Sequence, residues 1–224
     1  MKQKKTGSAL GRGLMGVGLA AILAAAGLFG YNSWISMEAG KQSDQAVMAL
    51  LDEITVRQDQ AEAEQSAQSV VEMEVEIHYA EQTEAEADAE EPKPESMELD
   101  GAYYMGMLSI PKLERMLPVQ VDWSMEKLRY TPCRYSGTVE DQLVICAHNY
   151  ITHFADLVTL SQGDSIAMTD LNGQKTEYIV AEICKIQPTD IEGMVNSGYD
   201  MSLFTCDYSG NARVTVRCDR VDAP

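Results

Sequence analysis

Between Glu38 and Asp100 the chain carries 19 acidic side chains against only three basic ones, Lys41, Arg57 and Lys93. A segment this charged, ending in "EAEADAEEPKPESMELDG", has too few large apolar side chains to offset the entropy of ordering it, and its like charges repel. It predicts an acidic extended stalk over residues 35–100 and confines any packed core to residues 101–224. Early in the segment, Val47, Met48, Leu50, Leu51, Ile54 and Val56 recur at helical spacing and continue a helix from the preceding residues. An acidic docking surface is the functional alternative to a plain solvated spacer.

From Gly101 onward the balance is 16 acidic to 10 basic residues, with no Lys/Arg stripe, which excludes nucleic acid as a partner. At the other end, Lys2, Lys4, Lys5 and Arg12 form a basic tail over residues 1–12. The adjoining uncharged run Gly13–Tyr31 spans about 28 Å as a helix, close to the hydrocarbon thickness of a bilayer. Residues 13–34 are therefore expected to form a transmembrane signal anchor, with the N-terminus cytoplasmic and the rest outside the cell membrane. A cleaved signal peptide is the competing reading, because Ala24 and Ala26 make an A-x-A-like site. The apolar run continues past that site through Leu28, Phe29 and Tyr31, which favours the anchor.

Residues 101–224 read as one compact β domain. "YYMGMLSIPKLERMLPVQ" is cut into short strands by Pro111 and Pro118, and "QLVICAH" is an apolar run suited to a central strand. Asn172-Gly173 supplies two-residue hairpin chemistry between "DSIAMTD" and "QKTEYIVAEICKI". "LFTC" and "ARVTVRCDRV" add two strands joined by "DYSGN". Seven or eight short strands, with helical turns expected only near Ser124–Arg129 and Phe154–Leu160, indicate an all-β closed barrel or sandwich.

Cysteine is most often a buried apolar residue, so Cys206 needs partners before it can be read as a nucleophile. Acyl transfer by a thiol requires a proton donor for the leaving group and a donor or positive charge where the oxyanion develops. His148 ends the run "LVICAH" at a strand terminus, and Arg213 opens the strand after the loop that follows Cys206. Adjacent strands lie about 5 Å apart, so Cys206 and Arg213 are expected to be neighbours. Arg217 has the same strand parity as Arg213 and is the rival arginine. His153, five residues after His148, lacks the neighbours for a zinc site. Cys133, Cys146, Cys184 and Cys218 form no C-x-x-C pairs, and strand positions favour buried thiols for most of them.

"CAHNYITHFADLVTLSQGD" and "LFTCDYSGNARVTVR", in this order after "GMLSIPKL" and "PCRYSG", resemble the sortases, cysteine transpeptidases of Gram-positive bacteria. The resemblance covers about Gly101 to Val221. It implies an eight-stranded sortase-type β-barrel in which Cys206 is the nucleophile, His148 the general acid/base and Arg213 the group that orients substrate and stabilises the oxyanion. Thr205, next to the cysteine, is implied to contact substrate. The implied reaction cleaves an LPxTG-like sorting signal, holds the acyl group as a thioester and transfers it to a cell-wall or protein amine. No metal or cofactor is obligatory for it, although some members bind calcium. An inactive barrel that only binds a peptide tail, and a hydrolytic cysteine protease, are the alternatives.

Two departures bear on these expectations. Ala147 stands where many relatives have Gly, and the six residues between Cys206 and Arg213 make a loop too short to contribute much to specificity. No second apolar segment follows Arg220, and the chain is accordingly expected to lie outside the pilin-polymerising class C, which typically carries a C-terminal membrane helix.

Overall fold

The computed structural model describes residues 7–71 and 94–221. The chain divides into two units, Met1–Glu38 and Ala39–Pro224. The first is helical from Gly7, the start of helix α1 (Gly7–Val71). Its apolar side chains, among them Leu14, Ile22 and Phe29, are exposed, and α1 is the one described helix long and apolar enough to cross a membrane.

In the second unit, α1 is an amphipathic helix rather than an open chain. Val47, Leu50 and Ile54 recur every three or four residues and pack on Met97, Tyr104, Met107 and Leu171, with Leu50 fully buried. Arg57 Nη1 donates to Glu95 Oε1 at 2.8 Å beside this contact. The segment expected as an extended stalk is thus helical as far as Val71, and residues 72–93 of it lie outside the described residues.

The barrel is built from β2 (Ala102–Ile110), β3 (Arg115–Gln120), β4 (Cys133–Ser136), β5 (Leu143–Cys146), β6 (Ser165–Thr169), β7 (Lys175–Ile186), β8 (Met201–Cys206) and β9 (Arg213–Arg220). A short β1 (Met97–Leu99) flanks β2. Strand order is β2-β3-β4-β5-β8-β9-β7-β6, and pairing of β2 with β6 closes the ring of eight. The β3–β4 and β5–β8 pairs are parallel; the others are antiparallel. Closure depends on Gly106. Its φ of 144° lies at a bulge in β2, and a Cβ there would run into the Thr169 carbonyl of β6.

Alternation sorts each strand into an inner and an outer face. Leu143 and Ile145 of β5, Met201 and Leu203 of β8, and Val214, Val216 and Cys218 of β9 turn into the main core. Phe154 and Leu157, from the turn around Ala155–Thr159, plug one end of it. Full burial of such a side chain contributes about 1.5–3 kcal/mol relative to exposure. This inner face holds the ring together and leaves the outer face free for chemistry. The expected hairpin joins β6 to β7, but its loop is longer than the two-residue turn the sequence suggests: the Gly173 amide donates to the Asp170 carbonyl, which centres the turn on Leu171-Asn172, and Gly173 follows with φ 78°.

Candidate active site

Three strand ends meet at one rim of the barrel. β5 and β8 run parallel with Cys146 opposite Phe204, and β9 returns antiparallel with Cys206 opposite Arg213. His148 lies two residues beyond Cys146, as Cys206 lies two beyond Phe204. Period-two alternation therefore puts His148, Cys206 and Arg213 on the same outer face of three adjacent strands. All three line one cavity of about 320 Å³.

The chain around the histidine is held to the strand of the cysteine by two bonds. The Ala147 amide donates to the Phe204 carbonyl at 3.2 Å, and Thr205 Oγ1 donates to the Ala147 carbonyl at 2.9 Å. Thr205 is 3% exposed; it borders the cavity, but its hydroxyl is engaged by backbone. Ala147 packs in the core, so the extra methyl relative to Gly is accommodated there.

The cavity is mostly apolar. Cys146 and Phe204 border it beside Cys206; Trp123, Met125 and Leu128 line one side, and Pro188, Ile191 and Met194 another. Trp123 stacks on Tyr135 at 5.4 Å between ring centroids, and Tyr135 meets Phe204 edge-on at 5.3 Å and 84°. All three rings line the cavity, and the series ends on Phe204, two residues before Cys206 on β8. Sequence reasoning missed it. The parity of Phe204 with Cys206 was visible, but nothing in the spacing ties Trp123 to a residue 81 positions later. A larger groove of about 840 Å³, lined by Gln42, Gln45, Lys127 and Tyr130 among others, contains neither cysteine nor histidine.

The two histidines have separate environments. His148 is half-buried beside Tyr150, with ring centroids 5.0 Å apart; burial first, and the Arg129 charge second, lower its pKa. A neutral imidazole in this position can accept a proton. His153 is 1% exposed, and among the described residues neither ring nitrogen has a hydrogen-bond partner of good geometry. Burial, reinforced by His148, lowers its pKa to about 4, and the backbone of Tyr130 offsets only part of this. His153 does not line the cavity.

The other cysteines are inert by comparison of their surroundings. Burial raises Cys133 and Cys218 to about 12, and raises Cys146 and Cys184 as well; all five thiols are free. Arg217 shares the outer face with Arg213 but is absent from the cavity. No group of three His, Cys, Asp or Glu side chains among the described residues is placed to hold a metal ion. A thiol, an imidazole and a guanidinium around one apolar cavity are the parts that acyl transfer needs.

Comparison with known proteins settles the family. The sequence pattern of the sortase domain matches residues 108–221, just over half of the chain. The chain belongs to the sortase family. Membership makes it, in general terms, a cysteine transpeptidase. No curated protein matches it at a significant level.

Solved structures similar to this sortase include sortase C1 from Streptococcus agalactiae, at 26% identity and TM-score 0.50 over 57% of this chain and 72% of that one. Sortase C1 from Streptococcus suis, at 26% identity and TM-score 0.48, covers 54% of this chain and 74% of its own. Clostridium perfringens sortase C with the C-terminal cell wall sorting motif, at 25% identity and TM-score 0.47, covers 54% and 71%. The expectation that the chain lies outside class C is overturned by the likeness to the Streptococcus agalactiae sortase C1. That expectation rested on the lack of an apolar segment after Arg220, and a segment outside the barrel says nothing about which barrel it accompanies.

Proposed function

We propose that this sortase cleaves an LPxTG-like sorting signal through a thioester on Cys206 and transfers the acyl group to a cell-wall or protein amine. The observation that carries the reading is the convergence of three strand ends, which presents Cys206, His148 and Arg213 from one face to one cavity. In the first half-reaction the sulfur adds to the scissile carbonyl and neutral His148 takes the thiol proton. Arg213 donates hydrogen bonds to the oxyanion, and His148 returns the proton to the departing amine. The C–N bond breaks and the thioester remains. In the second half, the acceptor amine adds to the thioester, His148 takes its proton, and the C–S bond breaks to restore the thiol.

The apolar walls suit the Leu and Pro of such a signal, and they exclude water that would otherwise hydrolyse the thioester. Thr205 supports the reading from the second rank, by borders shared with the cavity and by its bond to the residue before His148. Residues 1–12 form the cytoplasmic tail, residues 13–34 a single-pass anchor, and the catalytic domain of residues 101–224 faces outward, joined through residues 35–100. The basic residues before the apolar run and the acidic ones after it support that orientation.

The deciding experiment incubates the full chain in detergent with an LPxTG peptide, with and without an added amine. Intact mass is expected to show one acyl fragment on the wild type, mapped to Cys206, and none on Cys206→Ala. Amine should divert product from the free acid to the amide. An acyl group on Cys184 or Cys218 would sink the assignment, and free acid alone at every amine concentration would make the enzyme a protease.

A further inference from the structure

Arg213 and Arg217 sit on the same outer face of β9, yet their surroundings differ completely. Arg217 is 3% exposed. Its Nη1 donates to the Met194 carbonyl at 3.1 Å and to Ser202 Oγ at 2.6 Å, and its Nη2 donates to the Gly193 carbonyl at 2.5 Å. All three acceptors are neutral oxygens. Gly193 and Met194 belong to α2 (Ile191–Val195) in the connection between β7 and β8, whereas Ser202 is on β8 itself. One guanidinium therefore fastens that connection to the barrel wall.

α2 needs such a fastening. A helix of five residues does not persist alone in water, because nucleation costs more than so few internal bonds return. At its start Asp190 Oδ1 accepts from the Gly193 amide at 2.9 Å; further along, the Gly193 and Met194 carbonyls fall to Arg217. The segment so held is a wall of the cavity: Gln187, Pro188, Asp190, Ile191 and Met194 all line it. Met194 makes the connection explicit, since its carbonyl accepts from Arg217 while the residue borders the space beside Phe204 and Cys206.

We propose that Arg217 is a positioning residue that sets the substrate-binding wall formed by residues 187–194, without touching the reacting atoms. The inference rests on reading the cavity as the site of the sorting signal. It assigns the two arginines of β9 to different steps: Arg213 to the transition state, Arg217 to recognition of the peptide.

The test uses the full chain carrying Cys206→Ala, so that LPxTG peptide binds without turning over, and measures Kd by calorimetry. Adding Arg217→Met should weaken binding about tenfold, the equivalent of one hydrogen bond to a charged group. Arg217→Lys, which keeps the charge but loses the planar fork, should recover part of the loss. With Cys206 restored, Arg217→Met should raise KM while kcat stays within about twofold. Hydrogen exchange should quicken over residues 187–197 and stay unchanged in β8 and β9. Faster exchange with unaltered Kd, unaltered exchange, or a fall in kcat at constant KM would each overturn the proposal. Should Arg217→Met fail to fold by circular dichroism, Arg217→Lys and Ser202→Ala carry the same comparison. If the Cys206→Ala parent binds no peptide, the proposed function fails; if it binds and Arg217 variants bind equally, only this inference does.

Discussion

The two faces of β5, β8 and β9 obey different rules. Inward, Ile145, Leu203 and Val216 are fully buried and interchangeable in kind with any well-packed apolar core. Outward, three residues away along the same strands or just past their ends, His148, Cys206 and Arg213 are only partly buried and line the cavity to which the proposed function assigns the chemistry. The strands thus serve as a single structure with two independent loads. Mutations on one face should register in stability and those on the other in rate, provided the residue is read by its parity and not by its distance from the cysteine.

The sharpest way to challenge that division is on the outer face. His148→Ala should slow kcat/KM by about 10² to 10⁴, because the leaving amine then departs without a positioned acid. Arg213→Lys keeps charge but not the planar pair of donors, and should lose about 10² to 10³, the usual cost of one oxyanion donor. Thermal denaturation should find both variants as stable as the parent to within a degree or two. A melting temperature that falls in step with activity would show that the faces are not independent.

On the inner face, Leu203→Ala deletes a fully buried side chain between Ser202 and Phe204, and should cost about 2–5 kcal/mol of stability, measured by urea titration. The folded fraction should still turn over peptide within a few-fold of the parent rate. A hundredfold loss of kcat in fully folded protein would mean that the cavity feels the core directly.

The smallest effect tests the histidine pair. In the folded chain the pKa of His153 is about 4, against about 6.5 in an unfolded one. Between these values the unfolded chain binds a proton that the folded chain refuses, so stability falls as pH drops through this window and the loss is complete below it. The span corresponds to about 3 kcal/mol at most. His153→Phe should flatten the stability profile between pH 6.5 and 4 while leaving kcat at neutral pH near the parent value. An unchanged profile would place the acid sensitivity elsewhere, in the carboxylates.

Much of this organisation was legible in the sequence because it is local. Alternation gave the strands, Asn172-Gly173 gave a hairpin, and the spacing of Cys206 and Arg213 across a short loop predicted the register that pairs them. What stayed hidden depends on residues far apart. Arg213 and Arg217 share parity, and only the bonds from Arg217 to the carbonyls of α2 separate a partly buried side chain from a fully buried one. Val47, Leu50 and Ile54 showed their helical period, but their partners Met97, Tyr104 and Leu171 lie beyond the acidic stretch, so the helix read as part of a tether. Trp123 had no local signal at all, since its place is set by stacking on Tyr135.

The parallel pairing of β5 with β8 also governs when activity can arise. Parallel neighbours cannot be joined by a tight turn, and here a long crossover containing β6, β7 and α2 intervenes between Cys146 and Met201. Such non-local closure is slow and comes with a large loop entropy to overcome. A chain folded only through β7 would hold His148 without Cys206 and Arg213, which lie on β8 and β9. Only when β8 slides in beside β5, and β9 follows, do thiol, imidazole and guanidinium share one space. The cavity lined by His148, Cys206 and Arg213 is therefore complete only once this non-local pairing has formed, and under the proposed function activity should appear no earlier in refolding than the β5–β8 pair.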